Sequence, residues 1–114
     1  MKNYALIFRM NVLNNQPTQK QMAAYQKLWM SWINEIAING KLGKGGNHFL
    51  KNGRVLLSPE KIEESPFVAS NLSVAGYILI KADNIDNATL IAKKCPILEG
   101  EDTSVEIRET ANPF

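Results

Sequence analysis

Residues 76–108 read GYILIKADNIDNATLIAKKCPILEGEDTSVEIR, and their order decides the fold. The stretch opens inside a strand spanning residues 73–81 that is apolar on both faces, Tyr77 and Leu79 on one and Ile78 and Ile80 on the other. Asp83 or Asn84 then offers a side-chain oxygen to start a helix over residues 85–94, which must stop before Pro96. Cys95-Pro96-Ile97-Leu98 makes a turn. Val105 and Ile107, alternating with Glu106 and Arg108, form a last strand.

Working outward, residues 2–10 form a first strand, again apolar on both faces: Tyr4, Leu6 and Phe8 against Ala5 and Ile7. Asn14-Asn15-Gln16-Pro17 breaks the chain after it. Thr18 and Gln21 have capping-box spacing. Met22, Tyr25, Trp29, Trp32, Ile33 and Ile36 follow at helical steps, giving a wide apolar stripe that ends near Asn39-Gly40. Two short strand-like pieces, residues 42–50 and 54–57, flank Lys51-Asn52-Gly53, and Asn-Gly is a strong hairpin signal. Residues 58–71, with Pro59 and Pro66, read as an irregular loop.

The order is β-α-β-β-α-β, an α+β class, ferredoxin-like split βαβ pattern with a hairpin addition. Two helices cover only one face of a sheet, yet the two clearest strands are apolar on both. A large apolar sheet face is rarely left in water. A symmetry-related copy of the same sheet is the simplest cover, so a homodimer through the sheet face is expected.

Composition narrows the function classes. The 114 residues suit one domain, residues 1–114, with 45% hydrophobic and 21% charged content typical of a soluble globular chain. The net charge of +2 is scattered, and Lys93-Lys94 is too small a cluster for nucleic acid. The apolar run from Tyr4 to Phe8 is too short for a signal peptide or a membrane span. Cys95 is the only cysteine, so no internal disulfide forms, and a cytoplasmic, reducing location is expected. His48 is the only histidine, which leaves a metal site without ligands. Gly43-Lys44 is followed by Gly45 where a phosphate loop needs Ser or Thr, and this glycine run leaves a helix rather than entering one. No cofactor is expected.

Several motifs, taken together in this order, resemble the YCII-related family, also called the DGPF-domain family after its Asp-Gly-Pro-Phe motif. They are Tyr25-x-x-x-Trp29, Gly40-Lys41-Leu42, Gly45-Gly46-Asn47, Pro66-Phe67 ten residues before Gly76-Tyr77, Cys95-Pro96-Ile97-Leu98 and Val105-Glu106-Ile107-Arg108. The resemblance covers nearly the whole chain and implies a dimeric α+β barrel. Glu64-Ser65 stands in place of the motif's Asp-Gly, keeping a carboxylate one methylene longer. Some relatives carry a His on the first helix, thought to pair with an Asp as an acid–base dyad. Counting back from Gly40, this position falls on Trp29, which transfers no protons.

A binding site is expected between the first helix and the sheet, walled by Arg9, Tyr25, Trp29, Glu64 and Phe67, with Ser65 and His48 nearby. Arg9 offers a planar fork to an anion. Glu64 is the one motif position able to shuttle a proton. The favoured reading is a non-catalytic homodimer that binds a small aromatic or anionic ligand, or a partner. The alternative is a cofactor-independent lyase or isomerase acting on a small aromatic or lactone-like substrate, with Glu64 as acid/base.

Overall fold

The computed structural model describes residues 1–13 and 17–111. Its elements are β1 (Lys2–Asn11), α1 (Gln19–Ile38), β2 (Leu42–His48), β3 (Val55–Leu57), β4 (Lys61–Glu63), β5 (Leu72–Ala82), α2 (Ile85–Ala92), a 3₁₀ turn (Pro96–Glu99) and β6 (Ser104–Glu109). Four strands make one antiparallel sheet in the order β2-β5-β1-β6. This α+β arrangement is consistent with the ferredoxin-like pattern. The breaker expected at Asn14-Asn15-Gln16 lies outside the described residues.

Local signals set the helices. Thr18 caps α1: its Oγ1 accepts from the Gln21 amide at 3.1 Å, while the Gln21 side chain accepts from the Thr18 amide at 2.9 Å. The helix ends at Asn39, and Gly40 turns the chain away with φ 71°. Asn84, not Asp83, caps α2, accepting from the Asn87 amide at 2.8 Å.

Period-2 alternation sends Tyr4, Leu6 and Phe8 of β1, with Ile80 and Ala82 of β5, onto the helical side. There they bury against Trp32 and Ile36 of α1, Ala88 and Ala92 of α2, and Cys95 and Ile97. The Trp32 indole N–H donates to the Ile91 carbonyl at 3.1 Å, so the largest core ring is also tied across the two helices. Burial pushes the Cys95 thiol up to about 12, against a smaller lowering by the Ile97 backbone, which leaves it a packing residue.

The other side of the sheet is different. Ala5, Ile7, Tyr77 and Leu79 point away from both helices, and pair as Ala5↔Leu79 and Ile7↔Tyr77. A bulge between Phe8 and Arg9 shifts the register so that Arg9 faces Val74. Glu106 and Arg108 of β6 stand on the same open side, opposite Ile7 and Ala5. The molecule measures 42 × 42 × 21 Å. The short dimension is the thickness of one sheet plus one helical layer.

Two expectations need correction. Residues 42–50 and 54–57 do not form a hairpin through Asn52-Gly53. β2 pairs with β5, while β3 pairs with β4, which lies inside the segment read as irregular. Asn-Gly drives a tight hairpin by adopting positive φ, and neither Asn52 nor Gly53 does so. In the connection between β2 and β5 the residues that do are Ser70 and Asn71, at φ 52° and 65°, between Ala69 and Leu72, which exchange both backbone hydrogen bonds. The β3–β4 hairpin forms its own two-stranded sheet, an arm inserted in the chain between β2 and β5 and not part of the four-stranded ladder. Among the described residues, no helix is long and apolar enough to cross a membrane.

Candidate functional site

The residues singled out in the sequence fall into three groups, placed on different parts of the fold. On the helical side, Trp29 sits edge-on to Phe8 with ring centroids 4.9 Å apart, to Trp32 at 5.5 Å and to Tyr25 at 6.0 Å. Tyr25 is half-buried beside the 3₁₀ turn. Burial pushes its hydroxyl above the ordinary range, a hydrogen bond with Trp29 opposes this, and the nearby Cys95 and Glu99 add to it. This cluster is an aromatic wall continuous with the core.

Arg9 lies on the opposite, open face of the sheet. It donates to Glu106 at 2.6 Å, and Arg108 donates to the other carboxylate oxygen at 3.1 Å. The Arg9 guanidinium first, then Arg108, holds the Glu106 carboxyl below the usual carboxylate range. The three charges form a rim beside Ile7 and Ala5, with one positive charge in excess. A folded-state pKa below the unfolded one contributes stability above the unfolded range near 4.3, lost as pH falls through the folded value. Arg9→Gln should therefore move the Glu106 titration midpoint up toward the unperturbed range, read by carboxyl ¹³C NMR. An unchanged midpoint would mean that Arg108 alone sets it.

The third group lies at the stem of the arm. Glu64 accepts from Arg54, whose Nε and Nη2 each lie 3.0 Å from the same oxygen. These two residues extend the β3–β4 register by one step beyond Val55↔Glu63. With Lys51, Asn52, Gly53, Ser65 and Pro66 they line an open groove of about 650 Å³. Both charged side chains are well exposed, so the groove can hold a charged or polar group but encloses nothing. Phe67 follows the stem, exposed, its carbonyl accepting from Ser73 Oγ at 2.9 Å. His48 is exposed at the end of β2.

A larger trough of about 950 Å³ runs along the outer surface of α1 past Ala23, Met30, Asn34 and Ile38. All its walls come from one convex helix, so it is a surface, not an enclosure. Among the described residues no three of His, Cys, Asp and Glu are grouped to hold a metal ion.

Sequence reasoning missed Arg54, Glu106 and Arg108, the partners that decide what Glu64 and Arg9 can do. Arg54 was discoverable: Val55-Leu56-Leu57 and Ile62 are two short apolar pieces around Pro59, and pairing them sets Arg54 opposite Glu64. Glu106 was not, because its contact with Arg9 depends on a register set 97 residues away. No known protein-family model matches this chain, and no curated protein sequence matches it.

Proposed function

We propose that this protein is a non-catalytic, YCII-related binding module that works as a homodimer, with two sheets packed face to face as a dimeric α+β barrel and a small ligand or partner bound at its edge. One observation carries the reading. Ala5, Ile7, Tyr77 and Leu79 form an apolar centre on the sheet side that neither helix covers. These residues are half-buried in the single chain, and a contiguous apolar face of this kind is rarely left to water. The strand order, with both helices on one side, supports the ferredoxin-like frame on which this kind of dimer is built.

The same geometry argues against proton transfer by Glu64. A carboxylate used as a general acid or base sits in an apolar enclosure with a second proton-transfer group in reach. Glu64 instead stands exposed and charge-paired with Arg54. Trp29, whose position falls on the histidine of some relatives, is packed into an aromatic cluster.

Sedimentation at micromolar concentration should show a species of twice 12.8 kDa. Ile7→Glu combined with Leu79→Glu should weaken association at least about a hundredfold, since two unpaired carboxylates from each chain would be buried in the interface. A wild-type chain that sediments only as a monomer removes the proposal. A thermal-shift screen of small aromatic acids and lactones tests the binding half. Hits should survive Glu64→Gln and weaken in Trp29→Ala, whereas turnover of a hit that disappears in Glu64→Gln would favour the lyase or isomerase reading.

A further inference from the structure

We infer that the β3–β4 arm is a clasp for a second copy of this chain, packing its Leu56–Ile62 face against the partner and supplying the missing wall of the stem groove. The inference rests on the sheet-face dimer proposed above and specifies what lies beyond the edge of that sheet.

The arm cannot account for itself as an isolated element. Each of its strands has three residues, and a two-stranded hairpin alone is at best marginally stable in water. Leu56 and Ile62 are cross-strand partners on one side, 73% and 53% exposed. The other side carries a Lys61–Glu63 pair at 3.3 Å. Val55 and Leu57 share that other side, and the Arg54–Glu64 pair stands at the base of the Leu56–Ile62 side, so both sides are mixed, and the Leu56–Ile62 pair is the more exposed apolar patch of the two.

Size points to the same conclusion. A compact monomer of 12.8 kDa exposes about 6,300 Å², whereas this chain exposes 8729 Å². Its radius of gyration is 15.4 Å, against about 13 Å for a compact chain of this length. The excess, about 2,400 Å², exceeds the roughly 800 Å² per partner that a standard stable interface buries. The open sheet face and the arm are also linked. The rings of Tyr77, on that face, and Phe49, on the way to the arm, lie 6.0 Å apart. An apolar path therefore leads from the sheet centre toward the arm.

A second copy is the occupant that uses both surfaces together. In a two-fold dimer each copy offers the same patch, so an arm leaving one end of the sheet is matched by a second arm from the partner. The charges on the arm favour a protein surface over a polyanion, because Arg54 and Lys61 are already paired with Glu64 and Glu63. In a single copy the groove beside Arg54 and Glu64 is open, and the partner completes it.

The test uses the full chain. Leu56→Asp with Ile62→Asp should raise the dimer dissociation constant at least about tenfold in sedimentation velocity, with far-UV circular dichroism unchanged, since both residues are exposed in the protomer. A photo-reactive benzoylphenylalanine in place of Leu56 should yield covalent dimers whose attachment sites map to the other chain. Dimerisation at wild-type concentrations by the Asp pair, or attachments confined to the same chain, would overturn the clasp. If the Asp pair leaves the dimer intact and Ile7→Glu with Leu79→Glu breaks it, the clasp fails and the sheet dimer stands. If the wild-type chain is monomeric, both fail.

Discussion

Trp32→Ala is expected to lower the free energy of unfolding by about 3–5 kcal/mol, the cost of emptying a large aromatic site in a close-packed core. Ordinary domains are stable by only about 5–15 kcal/mol, so this one change should remove a large fraction of the total. The size of the effect follows from position. Trp32 is 5% exposed, its ring touches those of Phe8 and Trp29, and its indole N–H holds the Ile91 carbonyl at 3.1 Å. Trp32→Phe separates the two contributions, since it keeps most of the volume and removes only the indole hydrogen bond to a carbonyl that still accepts from the Lys94 amide at 3.3 Å, which should cost about 0.5–1.5 kcal/mol. Equilibrium urea unfolding measures both. A loss below about 1 kcal/mol for Trp32→Ala would show that the two helices do not close over the sheet through this residue.

Gly46→Ala should be the next most damaging change, at about 2–4 kcal/mol. Gly46 has φ 121°, and a Cβ there would lie 2.6 Å from the Tyr77 carbonyl oxygen and 2.8 Å from Ile78 Cα. Both obstacles are backbone, so no side-chain rotation relieves them. Gly76 mirrors it across the ladder, where a Cβ would come within 2.5 Å of the Asn47 carbonyl. Gly40 provides the control. Its φ of 71° is equally left-handed, but a Cβ would meet nothing within 4 Å, so Gly40→Ala should cost only the conformational penalty of about 1 kcal/mol. Equal losses in Gly46→Ala and Gly40→Ala would mean that β2 does not approach β5 closely. A larger loss in Gly46→Ala should appear together with faster amide exchange in β2.

The contrast between these positions bears on how much of the fold the sequence discloses. The capping box at Thr18 and Gln21, the apolar stripe through Trp29, Trp32 and Ile36, and the two-faced runs of β1 and β5 are local patterns, and local patterns are legible. The arm was not, because Asn52-Gly53 carries the strongest turn signal in the region while the tight turn forms at Ser70-Asn71. Gly53 serves another purpose: a Cβ there would lie 2.9 Å from Pro66 Cγ, so it lets the two sides of the stem close together. The candidate site was the least legible part. The residue types at Arg9 and Glu64 suggested a shared cleft, but whether a charge is free for a ligand depends on its neighbour. Those neighbours, Glu106 and Arg54, are assigned by strand register.

The placement of β1 also affects how the chain is made. The central strand comes first in the chain order, while both its neighbours, β5 and β6, lie beyond residue 71. During synthesis, a segment bearing Tyr4, Leu6, Ile7 and Phe8 must wait unpaired until residues 72–109 have emerged. Such long-range pairing is slow to form and open to competing association in the interval. A ribosome stalled before β5 would therefore present α1 without the sheet it covers. Nascent chains of this protein should be better substrates for chaperones that hold exposed apolar strands than the finished molecule is.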